Sequence, residues 1–137
     1  MFRILIIHFN RLFLVVAAAV MASCSSAVDT SVAVPNIENG KATFNIMCAV
    51  CHSVQKTGGA VEGPNLLGLV GRQAGTHPGF GKYSNAIKAS NLIWNVDALD
   101  RFLSNPMQTV PGTIMPMLIA DDKTRADVIA YLATLKE

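Results

Sequence analysis

Cys48-Ala49-Val50-Cys51-His52 sets two thiols one helical turn apart and follows them at once with an imidazole, the pattern of c-type haem attachment. At this spacing both thiols can add to the two vinyl groups of a porphyrin. The histidine that follows is carried under the iron as a neutral ligand. Two other chemistries use Cys-x-x-Cys and compete with this reading. A zinc site needs a second pair of ligands, and after residue 23 the only other histidine is His77, with no further cysteine pair. A redox dithiol of the thioredoxin kind needs a βαβ setting, which the flanking sequence does not supply.

A second signal lies downstream, where Pro111-Gly112-Thr113-Ile114-Met115 presents a methionine in a stretch without helical period. Methionine and histidine together are one of the few axial pairs that hold haem iron, and they raise its potential. A lone methionine is more often core filling. Met47, Met107, Met115 and Met117 all compete, and spacing does not choose among them.

From about Gly40 to the C-terminus the chain resembles the class I cytochrome c family, the mitochondrial carrier and its bacterial relatives. The matching pieces stand in family order: Gly40 and Phe44, the Cys48–His52 motif, Gly63-Pro64-Asn65-Leu66, Gly68 and Gly71-Arg72. Pro78-Gly79-Phe80, Tyr83-Ser84, Asn85-Ala86, Trp94, Asn105-Pro106, Pro111–Met115 and Ile129-Ala130-Tyr131-Leu132 follow. The resemblance implies an all-α cytochrome c fold, with helices and long loops wrapped around one covalently attached haem c. It implies Cys48 and Cys51 as attachment points, His52 and Met115 as iron ligands, and the Pro64 carbonyl as acceptor for the His52 ring. It also places Arg72, Tyr83, Trp94 and Thr113 near the haem propionates. Trp94 and Tyr83 read equally well as core aromatics whose polar ends are met by backbone.

The function implied is single-electron transfer between redox proteins, not enzymatic turnover, by a carrier expected to be monomeric. A gas or redox sensor with a labile methionine, or a small peroxidase, are the competing classes. A peroxidase needs an open iron position and a distal acid or base, for which His77 is the only candidate after residue 23. Two departures from the family stand out. Where the mitochondrial carrier has lysines around the haem edge, this chain has Met47, Gly59, Val61, Met107, Gln108 and Ile114, with Asp121 and Asp122 beyond; only Lys56 is basic. The expected docking face is therefore largely apolar, with Met107, Ile114 and Met117 contributing. Phe102 stands where the family usually has a tyrosine whose hydroxyl reaches the methionine sulfur.

Residues 1–23 read as an export signal: Arg3 and Arg11 lead, and Leu12–Ala22 carries no charge. That apolar run is short for a membrane span, which needs roughly 20 residues, so an uncleaved anchor is the weaker reading. Met21-Ala22-Ser23-Cys24 resembles a bacterial lipobox and accounts for the one cysteine the haem motif leaves over. Cleavage after Ser25-Ser26-Ala27 would instead discard Cys24. The expected location is the bacterial periplasm, tethered to a membrane through lipid on Cys24.

Residues 24–36 read as a linker and 37–137 as the single cytochrome c domain. Two of the 11 Lys and Arg lie in the export stretch and none of the 9 Asp and Glu do, so the remaining chain is formally neutral. No basic run suggests nucleic acid. The periodicity predicts a first helix over Ile37–Val50, a long loop over Thr57–Gly81, a short helix over Asn85–Ala89, and a helix from Val96 to Ser104 behind the cap Asn95. A last helix is expected behind Asp121 to about Leu135, with Val128, Leu132 and Leu135 on one face. Phe44 and Tyr131 are expected to fill the contact where the first and last helices cross at Gly40.

Overall fold

Among the described residues five α-helices begin at polar caps, and each cap is a residue whose side chain can satisfy a free amide. The computed structural model describes residues 34–57 and 62–137. The export stretch, Cys24, most of the linker, Gly59 and Val61 lie outside the described residues. Helix α1 spans Ile37–Thr43, α2 Asn85–Ala89, α3 Val96–Ser104, α4 Pro106–Thr109 and α5 Asp122–Thr134. Asn36, Ser84, Asn95, Asn105 and Asp121 accept from the backbone amides of Asn39, Ile87, Ala98, Gln108 and Thr124 respectively. These are the residue types whose short side chains cap a helix start.

The first helix differs from its expected form. It is α-helical only to Thr43 and continues as a π-helical turn over Phe44–Cys48, which ends two residues before Val50. Helix α4 was not expected. Pro106 ends α3, yet proline suits the first position of a new helix, and Asn105 serves α3 as C-cap and α4 as N-cap. The described part of the long loop after Thr57 contains no helix. Its only ladder is an isolated antiparallel bridge between Gln73 and Ile93.

Helices α1 and α5 cross at Gly40. A Cβ there would overlap the backbone carbonyl of Asp127, so only glycine lets the two backbones meet. One turn on, the rings of Phe44 and Tyr131 pack with centroids 5.5 Å apart. Val128 and Leu132 are buried and Leu135 packs against the same cluster, the face expected from the sequence. Burial of each such side chain contributes roughly 1.5–3 kcal/mol. Helix α3 adds Ala98, Leu99, Phe102 and Leu103 to the core.

Two charged residues of α5 are buried as well. Asp127, 3% exposed, accepts from the Asn36 amide at 2.6 Å and pairs with Lys123 at 2.7 Å. Arg125, 6% exposed, donates to the carboxylates of Asp100 and Asp122 and to the carbonyls of Ile119 and Ala120. Asp127 thereby fastens the entry of α1 onto α5, and Arg125 fastens α3 and the 119–122 segment. A buried charge with full partners is tolerated, whereas removal of one partner is costly.

The Lys123 ammonium and the Asn36 amide hold the Asp127 carboxyl below its ordinary value. A carboxyl lowered in the folded state stabilises the fold above the unfolded pKa of about 3.9, and that stabilisation is lost as pH falls through the folded value. Asp127→Asn is expected to lower the urea midpoint at pH 5–7. The difference from wild type should shrink as pH drops below about 4. An unchanged difference at pH 3 would show that the charge of Asp127 is not what holds α1.

Candidate functional site

The π-helical turn hands the chain to the motif. The Ala49 amide reaches back to the Phe44 carbonyl at 2.9 Å, and those of Cys51 and His52 both reach Cys48, at 3.0 and 2.9 Å. This tight turn leaves the Cys48 thiol half-buried and the Cys51 thiol exposed, both free of any disulfide. Burial, with a smaller contribution from Cys51, pushes the Cys48 thiol up to about 11.

Segment 63–66 closes over the motif. The Gly63 amide donates to the Cys51 carbonyl at 2.8 Å, and the Leu66 amide to Ser53 at 2.8 Å. His52 Nδ1 lies 2.7 Å from the Pro64 carbonyl oxygen. That oxygen can only accept, so Nδ1 carries the proton and Nε2 keeps its lone pair. Burial lowers the His52 pKa, and the Pro64 contact acts in the opposite sense. With its pKa below the ordinary value of about 6.5, the ring is neutral at pH 7. A Cβ on Gly63 would run into the imidazole, so glycine is what allows the loop to lie against it.

Arg72 and Trp94 are brought side by side by paired backbone contacts. The Gly71 amide donates to the Trp94 carbonyl at 2.8 Å, and the Trp94 amide to Arg72 at 3.0 Å. Arg72 donates to the carbonyls of Asn65 and Leu67, at 2.7 and 3.2 Å, and so ties down the segment that covers His52. Burial lowers the Arg72 pKa, and the neighbouring Tyr83 and Glu137 oppose it. The Tyr83 hydroxyl accepts from the His77 amide at 3.3 Å, and burial raises its pKa. Trp94 is buried edge-on to Phe102, with centroids 5.0 Å apart. Across the core, Val110–Thr113 forms a turn with Gly112 at φ 92°, closed by the Thr113 amide on Val110 at 2.9 Å. Thr113 is buried, and Met115 beyond it is half-buried and packed on the core.

The family model described as Cytochrome c matches residues 37–136. Cytochrome c of Euglena viridis is 46% identical over 101 residues, which cover 73% of this chain and 97% of that protein. Cytochrome c2 of Rhodopila globiformis is 43% identical over 98 residues, covering 71% and 91%. A cytochrome c homolog of Bradyrhizobium diazoefficiens is 37% identical over 117 residues, covering 85% of this chain and 63% of the homolog. The chain belongs to the cytochrome c family. It carries one covalently bound haem c and works as an electron carrier with redox-protein partners, not as an enzyme.

The donor set of this cytochrome fits that group. Two reduced thiols sit one turn apart and a neutral imidazole presents a free Nε2. Cys48 packs against the same core cluster as half-buried Met47, Leu66, Tyr83, Leu92 and Met115. Two further contributors enter the sequence reading only as members of the Gly63-Pro64-Asn65-Leu66 run, without a role of their own. Gly63 matters only through a close approach to the imidazole. Asn65 donates to the Gln55 carbonyl at 2.8 Å and accepts from the Leu67 amide at 2.8 Å, locking the loop that carries Pro64. The nearest sequence signal for Asn65 is the tendency of asparagine to bond its own backbone two residues on.

Proposed function

We propose that Cys48 and Cys51 hold the haem by thioether bonds, that His52 Nε2 and the Met115 sulfur are its iron ligands, and that the cytochrome shuttles single electrons between exported redox proteins. The observation that carries this reading is the 2.7 Å contact between His52 Nδ1 and the Pro64 oxygen, which points the unprotonated nitrogen away from the loop. When bound, haem supplies a reversible one-electron change at iron. The chain's part is to hold the ligand atoms still and to keep water away. Pro64 fixes the imidazole tautomer and orientation, as partners of a metal-bound histidine do. Gly63, Asn65 and Arg72 hold Pro64 in place, while Thr113 accepts from the Met115 amide at 3.4 Å on the opposite side. We place the propionates near Arg72, Tyr83, Trp94 and Thr113, where the side-by-side placement of Arg72 and Trp94 supports the assignment.

Spectra of the loaded protein, oxidised and reduced, with and without carbon monoxide, test the ligand pair. A six-coordinate His/Met spectrum indifferent to the gas is expected. Ready gas binding would move the reading to a sensor or a peroxidase.

The docking face is the finer part of the proposal. Met107, Ile114 and Met117 are 55, 68 and 41% exposed, and the chain after residue 23 is formally neutral. A partner with an apolar rim would dock there by contact, without long-range attraction. The second-order rate of electron transfer should therefore change little between low and physiological salt. A steep fall with added salt would overturn this.

For location, residues 1–23 serve as the export signal and Cys24 as the lipid-bearing N-terminus of the mature carrier. Among the described residues no helix is long and apolar enough to cross a membrane. The Bradyrhizobium match, longer than residues 37–136, extends into this leading segment. Cys24→Ser is expected to release the cytochrome into the soluble fraction; retention in washed membranes would point to an uncleaved anchor.

A further inference from the structure

The stretch that carries Met115 is suspended between two fixed points. At one end the Pro111-Gly112 turn fastens Thr113, which is 4% exposed. At the other, the Ile119 amide donates to the Leu103 carbonyl at 2.8 Å, and Ile119 is also 4% exposed. Among the described residues, the only hydrogen bond made by 114–118 is the long one from the Met115 amide to Thr113. Pro116 has no amide to offer and holds the residue before it extended. In an extended chain, alternate side chains share a side. The anchors Thr113 and Ile119 therefore share a side of this stretch with Met115, which is half-buried, and Met117, which is 41% exposed. Ile114, 68% exposed, and Leu118, 45% exposed, lie on the other side.

Met115 stands two residues from Thr113 and four from Ile119, and Met117 is its mirror image, four and two. Exchanging one for the other moves the slack from one side of Pro116 to the other and leaves both anchors in place. The other two methionines among the described residues have no such freedom. Met47 is fixed in the helical turn before Cys48, and Met107 lies within the capped helix α4.

We propose that Met117 is a second distal thioether, able to take the iron position when the Met115 sulfur is lost. The inference rests on the assignment of Met115 as the resident ligand. In the exchange the iron–sulfur bond to Met115 breaks and one to Met117 forms, with no electron moved. Methionine suits this use because its unbranched chain adapts readily to a new site.

The test uses oxidised, haem-loaded protein and reads the thioether-to-iron charge-transfer band together with the upfield-shifted methionine methyl signal in proton NMR. Wild type, Met115→Ala, Met117→Leu and the double variant are compared, with Met115→Leu in place of the alanine variant if that does not accumulate. The band should persist in Met115→Ala with a moved methyl signal, persist unchanged in Met117→Leu, and vanish in the double variant. Loss of the band in Met115→Ala alone, with Met117→Leu intact, would overturn the second ligand and leave the Met115 assignment standing. Loss in Met117→Leu with Met115→Ala intact would overturn both, since Met117 would then be the resident ligand.

Discussion

The absence of a side chain at Gly40 is the constraint from which the rest of the molecule follows. It lets α1 lie directly on the Asp127 carbonyl of α5, and no other residue permits that approach. Phe44 then meets Tyr131, and the chain leaving that contact is aimed at Cys48 and His52. Asp127 adds a second hold by gripping the Asn36 amide, so the entry of α1 cannot slide along α5. A ligand-bearing motif at a chain end would otherwise fray with its helix. Here the helix is fastened at both ends, once by charge and once by aromatic packing, before the motif begins.

The loop that completes the site is ordered by a different means. It has no helix to bury and makes its own scaffold from side chain to backbone bonds: Asn65 to Gln55 and Leu67, Arg72 to Asn65 and Leu67. Pro64 is thus held at the one height from which its carbonyl reaches the imidazole. Rigid ligands suit an electron carrier, because little has to move when the charge on the metal changes. The Met115 side is built more loosely, with a single long hydrogen bond between its two anchors. Stiffness around His52 and slack around Met115 is the asymmetry on which the proposed role of Met117 rests.

Sequence reading reaches the parts of this molecule that depend on residue type and local spacing. Caps at Asn95 and Asp121, the short helix after Ser84 and the face of Val128, Leu132 and Leu135 follow from rules that act within a few residues. The motif at 48–52 is legible because the chemistry of attachment fixes its spacing. What escapes is decided by distant partners. The π-helical turn at Phe44–Cys48 is invisible to a 3.6-residue period. Arg125 and Asp127 look like solvent-facing charges on α5, and only their partners at Asp100, Ile119 and Asn36 explain their burial. Pro106 reads as a stop, which it is for α3, but its suitability as a first helical residue shows only once Asn105 is seen to cap both helices.

Charge neutrality, the proposed apolar docking face and the proposed lipid anchor would form one consistent design. A soluble carrier must find its partner in three dimensions, and a field of opposite charges shortens that search at low salt. A carrier held on a membrane beside its partners has the search shortened already, because tethering raises its effective concentration. Lysines around the haem edge would then add little to encounter and would slow release from an acidic partner. Exposed apolar side chains such as Met107 and Ile114 would give short-range contact without a long-range field, and complexes made through them would form and part with little dependence on ionic strength. On this argument the absence of a basic ring and the proposed lipid on Cys24 would go together, and a relative without such an anchor is expected to keep its lysines.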